Sequence, residues 1–588
     1  MKKGVGFLVF ATFLLSGSSM YAQDKGNAEK RYFEINKNIE VFNSVIKELD
    51  MFYVDTLDVE KTIESGIVNM LAGLDPYTNY MTEEEVSDFT ILTTGEYAGV
   101  GAVISSRNLD GRDIVYIVEP YENMPAAKSG LKVGDIILSI NGEDMTSAEK
   151  VAGEPYGKTL SNKVTSKLKG QAGTEITVKV ERPGVKKPIE MKIVRQNVQI
   201  SSVPYYGLLQ DGVGYIVLTG FTDKCAQDVK NAFLDLKKQG MTSLILDLRG
   251  NGGGIMDEAV QLVNFFVPKG QVVLSTKGKM KQWDRIHRTT LDPIDADIPL
   301  VVLVDKGSAS ASEIVSGALQ DLDRAVIMGQ RTYGKGLVQA PRDLPYGGSL
   351  KVTTSKYYIP SGRCIQAIDY KHHNEDGSVG RIPDSLTTVF KTSIGREVRD
   401  GGGVTPDIKL EEIKVPSITY YLLNQYIVND WVTDWVIKNP KIGPLDKFSI
   451  TDEDYESFKT FVKSKKDFKY DGLSEKRLKT LKDVMDFEGY SKTADEEYKA
   501  LEAKLVPNLD RDLDNFKDDI KKLLNMEIAK RNYFQKGERI ESLKTDKDVK
   551  LAIELLNNQE QYKEIFTPGR KIIDLASKTG SEEEAENL

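Results

Sequence analysis

Residues 305–339 constrain the fold more than any other stretch, because a strand pattern, a helix pattern and a second strand pattern follow one another around them. The run PLVVLV at residues 299–304 is rich in valine and bounded by polar residues, which predicts a buried strand. Residues 325–329 (AVIMG) predict the next strand. Between them, small residues open a helix whose apolar face is formed by Ala311, Val315, Ala318 and Leu322. This order is typical of an α/β core.

Two residues of this stretch, Ser310 and Lys335, are predicted to lie close together. Ser310 stands with Ser308 and Ser312 where a helix N-cap is expected, and Glu313 lies in the first turn, where the helix dipole favours a carboxylate. From Ser310 the helix advances about 18 Å, and the following strand returns about 16 Å. Lys335 then sits between two glycines, which allow a sharp turn. A serine hydroxyl and a lysine amine can therefore meet.

Such a pair can perform nucleophilic catalysis when the lysine is neutral. A lysine ammonium has a pKa of about 10.4 in water and accepts no proton at neutral pH. Burial among apolar neighbours can hold the amine neutral at a cost of about 4 kcal/mol. Gln339, four residues after Lys335, is the candidate to orient the amine. Asp321 lies on the same helix face as Ser310 but about 16 Å further along, too far for contact.

The two segments SASASEIVSGALQD and GQRTYGKGLVQ together resemble the catalytic block of the carboxy-terminal processing peptidases, or tail-specific proteases. These are Ser-Lys endopeptidases with a crotonase-like α/β core. The resemblance implies that Ser310 is the nucleophile, Lys335 the general base and Gln339 the residue that positions the base. Asp321 resembles an aspartate that some members of the family need. The resemblance covers residues 30–410 and does not extend securely beyond them.

Other interpretations of these motifs are weaker. A serine-rich helix start and a GKG loop are each common structural features, but their combination at this spacing favours catalysis. GQRTYGKG also imitates a phosphate-binding loop, although Gly336 stands where that loop needs a hydroxyl. Histidine is an alternative base, but His287 lies in a charged segment, and His372 and His373 lie in the polar loop YKHHNEDG. That loop is predicted to be solvated rather than metal-binding, so no metal and no cofactor are expected.

The run DLRGNGGG, at residues 247–254, stands between a predicted strand and a predicted helix. Glycines there expose backbone N–H groups that could stabilise an oxyanion. The same run resembles the glycine motif of the peptidase family. We therefore take Gly252 or Gly253, together with the N–H of Ala311, as candidates for the oxyanion hole. A tight strand-to-helix turn without chemistry is the alternative.

Residues 91–200 form a region of short strands separated by Gly, Pro and Asn, and their order resembles a PDZ domain. In a PDZ domain, a glycine-containing loop offers N–H groups to the terminal carboxylate of a peptide that adds a strand to the sheet. Gly99, Val100 and Gly101 match that loop. The segment KSGLKVGDIILSING matches the most regular part of the domain.

The remaining segments complete a multidomain α+β prediction, in which an α/β protease core at residues 201–415 carries the PDZ-like domain as an insertion. Residues 27–90 and 416–588 are predicted to be helical, and the last eight residues, SEEEAENL, to be disordered. Residues 1–22 have two lysines, a short apolar run and small residues, which predicts a signal peptide. An uncleaved inner-membrane anchor stays open, because Met20 is not ideal before a cleavage site at Ala22.

Composition narrows the function further. The formal net charge is −9, so overall electrostatics do not support a nucleic-acid partner. The chain has only two cysteines, Cys225 and Cys364, which provide no disulfide framework. The family resemblance and the predicted signal peptide together imply a periplasmic serine endopeptidase that recognises unfolded or tagged protein C-termini, membrane-associated substrates included. The alternative is a catalytically inactive PDZ scaffold, and a homo-oligomer or an adaptor partner stays open.

Overall fold

The computed structural model describes residues 6–150, 155–373, 379–569 and 573–574. The first five residues of the predicted signal peptide and the predicted disordered tail lie outside these ranges. Two units can be distinguished, one formed by residues 1–82 with 340–353 and the other by residues 83–339 with 354–588. In the described part of the chain, no helix is both long and apolar enough to cross a membrane.

The first unit is mainly helical. Its helix α2 begins after Asp58, whose side chain accepts the N–H of Lys61 at 3.1 Å, as expected of an N-cap residue. The short strand β1 pairs antiparallel with residues 349–351. Apolar side chains at helical spacing on α1, such as those of Ile39 and Val45, remain about half exposed. The elements of this unit are α1, Gly6–Phe52; α2, Val59–Ala72; and β1, Asn79–Met81.

The second unit begins with a helix and a small β domain that contains the predicted PDZ region. Five strands pair antiparallel in the order β3-β4-β5-β7-β8, and α5 packs on this sheet. Along β7, Ile176, Val178 and Val180 alternate with more exposed residues, as in a strand with one buried face. The elements are α3, Glu83–Thr94; β2, Glu96–Gly99; β3, Ala102–Leu109; β4, Arg112–Pro120; α4, Pro125–Lys128; β5, Ile136–Ile140; β6, Glu143–Asp144; α5, Tyr156–Leu168; β7, Glu175–Glu181; β8, Ile189–Val194; and β9, Gln196–Gln199.

An α/β core follows, mostly in the same unit; residues 340–343 and 349–353, which lie in two of its strands, belong to the first unit. The strand predicted at residues 299–304, the helix after Ser310 and the strand predicted at residues 325–329 are all present, as β15, α8 and β16. The elements are β10, Tyr205–Leu208; β11, Val213–Val217; α6, Cys225–Lys238; β12, Ser243–Asp247; α7, Met256–Asn264; β13, Val272–Gly278; β14, Arg285–Arg288; β15, Leu300–Val304; α8, Ala311–Asp321; β16, Val326–Gly329; β17, Leu337–Asp343; β18, Ser349–Tyr358; β19, Ile368–His373; β20, Val379–Arg381; β21, Val389–Lys391; β22, Glu397–Arg399; and β23, Ile408–Lys409.

Helices dominate the remainder of the chain. The first helices of this region are α9, Ser417–Asn424; α10, Ile427–Lys438; α11, Asp452–Ser464; α12, Leu473–Glu488; α13, Asp495–Leu505; α14, Leu509–Asn515; and α15, Lys517–Leu543. Five of them, α9, α10, α11, α14 and α15, pack around a separate apolar core that includes Trp431, Tyr455 and Phe458. Three further elements are α16, Lys547–Asn557; α17, Gln559–Glu564; and β24, Ile573–Asp574.

The main sheet of the core has the strand order β10-β11-β12-β15-β16-β23-β24. All its pairs are parallel except β10 with β11. The strands β11, β12 and β15 are buried along their whole length, as expected of parallel strands covered on both faces. Helices α6, α7 and α8 cover one face. The ends of β12 and β15 therefore lie side by side, and both the glycine run and Ser310 follow them.

Helices from the end of the sequence cover the other face of this sheet. Side chains of α16 and α17, such as those of Ile553 and Leu556, pack against Tyr215, Ile245 and Leu303. The Tyr562 hydroxyl lies 2.9 Å from the N–H of Leu300, which donates to it. The α/β core is thus built from two distant parts of the chain, although the boundary expected at residue 415 places them in different regions.

The small β domain rests on the helices that follow the core. The Arg107 guanidinium lies 2.7 Å from Asp430 on α10 and lies over the rings of Tyr116 and Tyr426, at 5.3 and 4.8 Å from their centroids. A guanidinium between two aromatic faces and a carboxylate combines a cation–π contact with an ion pair.

We expect Leu556→Ala to destabilise the protein by about 2–5 kcal/mol, because it removes a side chain buried between α16 and the sheet. Leu481→Ala, on the more exposed helix α12, is the matched control and should change stability by less than about 1 kcal/mol. Thermal denaturation of both variants measures the difference. Equal effects would show that α16 does not contribute to the core.

Candidate active site

Ser310 occupies the strained turn between β15 and α8. It is the N-cap residue of α8, with φ 56° and ψ −113°. A residue with a side chain seldom adopts a positive φ, and such strain costs on the order of 1–3 kcal/mol. Serine nucleophiles of hydrolases occur at similar strand-to-helix turns, where the hydroxyl is presented at the end of a sheet. Ser310 is half-buried, unlike its serine neighbours.

The neighbouring serines have a different task. The Ser308 hydroxyl donates to the carbonyl of Leu248 at 2.8 Å, and the Ser312 hydroxyl donates to the carbonyl of Asn251 at 2.8 Å. Both side chains are fully buried. They tie the segment around Ser310 to the glycine run that follows β12. Of the three serines considered as N-caps, Ser310 is the one whose hydroxyl does not bind the carbonyls of the glycine run.

A single carboxylate joins the backbone of Ser310 to that of Lys335. Glu313 Oε2 accepts the N–H of Ser310 and the N–H of Lys335, both at 2.9 Å. Glu313 Oε1 accepts the N–H of Gly334 at 2.7 Å and the hydroxyl of Thr332 at 2.5 Å. Residues more than twenty positions apart in the sequence are therefore held on one side chain. The predicted proximity of the serine and lysine segments is present in the structure.

The environment of Glu313 explains why it needs all of these donors. Its side chain is completely buried, and burial raises the pKa of the carboxyl. The hydrogen bonds from Thr332 and from the N–H groups of Lys335, Ser310 and Gly334 lower the pKa part of the way back. Glu313 also stands in the first turn of α8, where the helix dipole favours a negative charge. The donors to this buried carboxyl come from both segments, so its hydrogen bonds are satisfied only while the two segments stay together.

Tyr357 provides a second bridge between the same segments. Its hydroxyl lies 2.7 Å from the carbonyl oxygen of Lys335 and 3.3 Å from that of Ser310, and donates to the backbone there. The ring is almost entirely buried in the core. Glu313 binds the N–H groups on either side of the site, and Tyr357 binds the carbonyls.

The loop that carries Lys335 is closely packed. A Cβ atom on Gly334 would lie 2.3 Å from the Cβ of Ala367, and one on Gly336 would lie 2.6 Å from the backbone nitrogen of Gln366. The glycines expected to allow a sharp turn are thus required by this contact as well. Lys335 is half-buried, and Gln339 follows on β17, also half-buried.

The glycine run lies directly against Ser310. A Cβ atom on Gly253 would come within 2.7 Å of both the Cβ of Ser310 and the carbonyl oxygen of Ala309. The N–H of Gly253 donates to Asn251 Oδ1 at 2.9 Å. Among the described residues, the N–H groups of Gly252 and Ala311 have no such acceptor. Of the three candidates for the oxyanion hole, Gly252 and Ala311 therefore have N–H groups available for a ligand, whereas the Gly253 N–H is engaged.

Asp321 lies at the far end of α8, as its position in the sequence suggests. It is fully buried, with Arg363 Nη2 2.9 Å from its Oδ1, and its Oδ2 accepts the N–H of Ser361 at 2.9 Å. The Ser393 hydroxyl donates to its backbone carbonyl. These contacts attach α8 to the segments that follow β18 and β21. The structure does not bring Asp321 to Ser310.

The predicted peptide loop lies beside a groove in the small β domain. Gly101 has φ 77°, and a Cβ atom there would lie 2.6 Å from the Cβ of Met124. A Cβ atom on Gly99 would lie 2.8 Å from the ring of Tyr97. The cavity next to Val100 has a volume of 440 Å³ and is lined mainly by apolar and aromatic side chains, among them Tyr97, Val100, Ile104, Tyr121 and Leu168, with Ile91 and Leu92 from α3.

The chemistry of this groove is that of an apolar pocket. Burial raises the pKa of Tyr97 to about 12, so its phenol is neutral at physiological pH. Lys169 lies at the edge, 3.4 Å from Asp88. The groove can thus receive an apolar side chain close to the loop of Gly99, Val100 and Gly101.

The three histidines lie on β14 and β19, outside the segments that carry Ser310 and Lys335. His287 lies on β14, and His372 is exposed, with its Nδ1 2.7 Å from Asp369. In the part of the chain that the structure describes, no group of three or more His, Cys, Asp or Glu side chains could hold a metal ion. Residues 374–376 of the HHNED motif lie outside that part.

Sequence reasoning missed two residues of the site, Glu313 and Tyr357. The spacing of Ser310 and Glu313 is that of a capping box, which predicts the bond from the Ser310 N–H to the Glu313 carboxylate. It does not predict the donors from residues 332–335. Tyr357 has no local signal, since its partners lie 22 and 47 residues away.

Comparisons with known proteins agree with this architecture. The sequence model of peptidase family S41 matches residues 212–374, and a PDZ-domain model matches residues 116–182. A model described as the C-terminal helical domain of a probable PDZ-protease matches residues 418–556. The chain is 36% identical over 374 residues to a carboxy-terminal-processing protease of Bartonella bacilliformis, which is 63% of this chain and 81% of that protein.

The chain belongs to the carboxy-terminal-processing protease family. It is also 33% identical over 330 residues to a probable CtpA-like serine protease of Staphylococcus aureus, covering 56% of this chain and 62% of that protein. Among solved structures, it matches a photosystem II D1 C-terminal processing protease with 27% identity and a TM-score of 0.33, over 63% of this chain and 87% of that one. The family resemblance and the fold class predicted from the sequence are confirmed, and the protein is a serine-type peptidase.

We expect Glu313→Gln to lower the activity of the protease on the order of 100-fold, because small displacements of reacting groups have effects of this size. The amide keeps one accepting oxygen but turns an NH₂ group toward backbone donors. Each buried donor left without an acceptor costs about 1–3 kcal/mol, so the melting temperature should also fall.

Glu258→Gln is the matched control, since Glu258 is a buried carboxylate on α7 that accepts the N–H of Ala226 at 2.9 Å. It should lower the melting temperature while leaving turnover per folded molecule unchanged. Full activity of the Glu313 variant would mean that the carboxylate does not hold the site together.

Proposed function

We propose that the protease is a Ser-Lys endopeptidase that captures protein C-termini in its PDZ domain. The observation that carries this proposal is the position of the Glu313 carboxylate, which binds the N–H groups of both Ser310 and Lys335 at 2.9 Å. A buried carboxylate that joins two segments distant in the sequence is best explained if the side chains of Ser310 and Lys335 act together. The strained backbone of Ser310 supports the same role.

In the first half of the reaction, the neutral amine of Lys335 takes the proton of the Ser310 hydroxyl. The serine oxygen attacks the carbonyl carbon of the scissile peptide bond, and the negative charge moves to the carbonyl oxygen. The N–H groups of Gly252 and Ala311 are the donors available to stabilise this oxyanion. The Lys335 ammonium then gives its proton to the leaving nitrogen, the C–N bond breaks and an acyl-enzyme remains.

In the second half, water replaces the amine. Lys335, neutral again, accepts a proton from the water as its oxygen attacks the acyl carbon. Collapse of the second tetrahedral intermediate breaks the bond to Ser310, which recovers its proton from Lys335. Gln339 positions the amine in this proposal. Asp321 contributes through the packing of α8 and touches no reacting atom.

The PDZ domain supplies the recognition step of the proposal. The loop of Gly99, Val100 and Gly101 offers N–H groups to a terminal carboxylate, and the adjoining apolar cavity of 440 Å³ receives the last side chain. Unfolded or tagged proteins that end in an apolar residue are the substrates that this geometry favours. Membrane-associated proteins with a free C-terminus are included.

Export to the periplasm is part of the same proposal. Lys2, Lys3 and the apolar run before Ala22 support a signal peptide. N-terminal sequencing of the protein recovered from the producing cells tests it: a mature chain starting near residue 23 is expected, and a cytoplasmic chain that starts at Met1 would contradict export.

Replacing the proposed nucleophile or base should abolish cleavage. We expect Ser310→Ala and Lys335→Met to lower the rate on an unstructured polypeptide by about 10³-fold or more, because either change removes a member of the catalytic pair. Ser316→Ala, which removes a buried serine hydroxyl from the same helix α8, is the control and should retain activity. Cleavage by Ser310→Ala at the wild-type rate would remove Ser310 from the mechanism. Binding of C-terminal peptides without cleavage by the wild type would identify a PDZ scaffold.

The identity of the C-terminal group should control substrate capture. For two peptides that differ only in a free or an amidated C-terminus, we expect KM to rise at least about 10-fold on amidation, because a charge-assisted hydrogen-bond acceptor is lost. A third peptide that ends in aspartate should also bind weakly in the apolar groove. Equal KM values for the three peptides, measured with the same cleavage site, would contradict recognition through the terminus.

A further inference from the structure

Arg249 opens the glycine run and connects it to the last helices of the chain. It stands two residues after the end of β12 and three residues before Gly252. Its Nε donates to Asp247 Oδ1 at 3.0 Å, and its Nη2 donates to Asp247 Oδ2 at 2.6 Å. The paired contact fixes the plane of the guanidinium at the end of the strand.

The opposite edge of the guanidinium binds two carboxylates that are about 300 residues away in the sequence. Arg249 Nη2 donates to Asp546 at 2.8 Å, and Nη1 donates to Asp548 at 3.2 Å. Asp546 is also the N-cap residue of α16, where it accepts the N–H of Val549 at 3.0 Å. The attachment is therefore made to the start of the helix that covers the main sheet.

This cluster is mostly removed from water. The side chains of Asp546 and Asp548 are 12% and 13% exposed, that of Arg249 is 16% exposed, and Asp247 is almost fully buried. The Tyr215 hydroxyl donates to Asp247 at 2.7 Å. If α16 moved, the guanidinium would keep Asp247 but lose two of its three carboxylate partners, and the loss of paired hydrogen bonds in a poorly hydrated site is costly.

Two further contacts fix the next residues of the glycine run, Gly250 and Asn251. Asp305 Oδ1 accepts the N–H of Gly250 at 2.8 Å, and Asn251 donates to the carbonyl of Leu218 at 2.8 Å. The backbone between Arg249 and Gly253 therefore has one support in the segment before Ser310 and another in α16. The position of the Gly252 N–H therefore depends on both of these supports.

We propose that Arg249 is a positioning residue, through which Asp546 and Asp548 hold the glycine run in the geometry that the reaction needs. The helices at the end of the chain thereby support the reaction without touching the substrate. The proposal rests on the assignment of the Gly252 N–H to the oxyanion hole. It also gives a role to α16, which lies in the region 416–588 that the sequence predicts only to be helical.

The test uses the full-length protein with Asp546→Asn and Asp548→Asn combined. Asparagine is as good an N-cap as aspartate, so α16 keeps its start while the ion pairs to Arg249 are lost. Arg249→Lys, which keeps the charge but not the planar fork, is the second variant. Asn558→Ala is the matched control, because it removes the N-cap of the next helix, α17, and does not contact Arg249.

Two measurements are made on each protein. Hydrogen exchange of the peptides that span residues 248–256 reports the order of the glycine run without any need for catalysis. Steady-state kinetics separates kcat from KM. For both test variants we expect faster exchange and a kcat lowered on the order of 10- to 100-fold with KM unchanged, as for the weakening of one oxyanion donor. The control should show a lower melting temperature, normal exchange and normal kcat.

Unchanged exchange in both test variants would overturn the attachment. Faster exchange with unchanged kcat would overturn the positioning role, whereas the proposed serine mechanism would stand as long as Ser310→Ala is inactive. If Ser310→Ala is active, the serine mechanism fails, and the exchange result still decides whether Arg249 holds the glycine run.

Discussion

The buried carboxylate of Glu313 is the interaction on which the rest of the site depends. A buried carboxyl group is stable only when hydrogen-bond donors surround it, and the donors here come from two separate segments. Separation of these segments would expose the carboxylate to an apolar core with its partners gone. Because the Glu313 carboxyl must be satisfied by hydrogen bonds, the backbones of Ser310 and Lys335 are held close together. These bonds are made by the backbone N–H groups of the two residues and not by their side chains. Tyr357 adds the same constraint on the carbonyl side.

The site is supported from both faces of the main sheet. On one face, α8 presents Ser310, and the hydroxyls of Ser308 and Ser312 attach its start to the glycine run. On the other face, α16 holds Arg249 through two carboxylates. The glycine run passes between these supports at the ends of β12 and β15, where parallel strands of α/β proteins commonly present their functional loops. Rigidity of the run therefore comes from packing that extends through the whole thickness of the core.

Local sequence patterns predict a large part of this arrangement. The elements β15, α8 and β16 follow from apolar runs and helix spacing, and their lengths alone suggest that the segments of Ser310 and Lys335 approach one another. The glycines on both sides of Lys335 predict a sharp turn, and in the structure they also allow close contact with Ala367 and Gln366. The small β domain is recognisable for the same reason, since its turns and strand spacing are local features.

Contacts between distant positions have no such pattern. Nothing near Glu313 indicates that Thr332 and Gly334 will donate to it, and an acidic residue in a first helical turn is explained well enough by the dipole. The partners of Arg249 lie in a lysine- and aspartate-rich region where helical periodicity looks like that of any solvated helix. The same holds for the N–H of Gly253, whose bond to Asn251 depends on a turn geometry that residue types leave undetermined. The sequence therefore indicates the proposed reacting residues, Ser310 and Lys335, better than the residues that hold them in place.

The cover of the main sheet by α16 and α17 has a consequence for how the protein is made. The strands it covers are synthesised some 300 residues earlier than the helices themselves. Until residues 547–564 have been synthesised, Tyr215, Ile245 and Leu303 lack the side chains of α16 and α17 that cover them, and an exposed apolar surface of this kind is prone to aggregation. The catalytic core therefore acquires its complete apolar packing only once residues 547–564 are present.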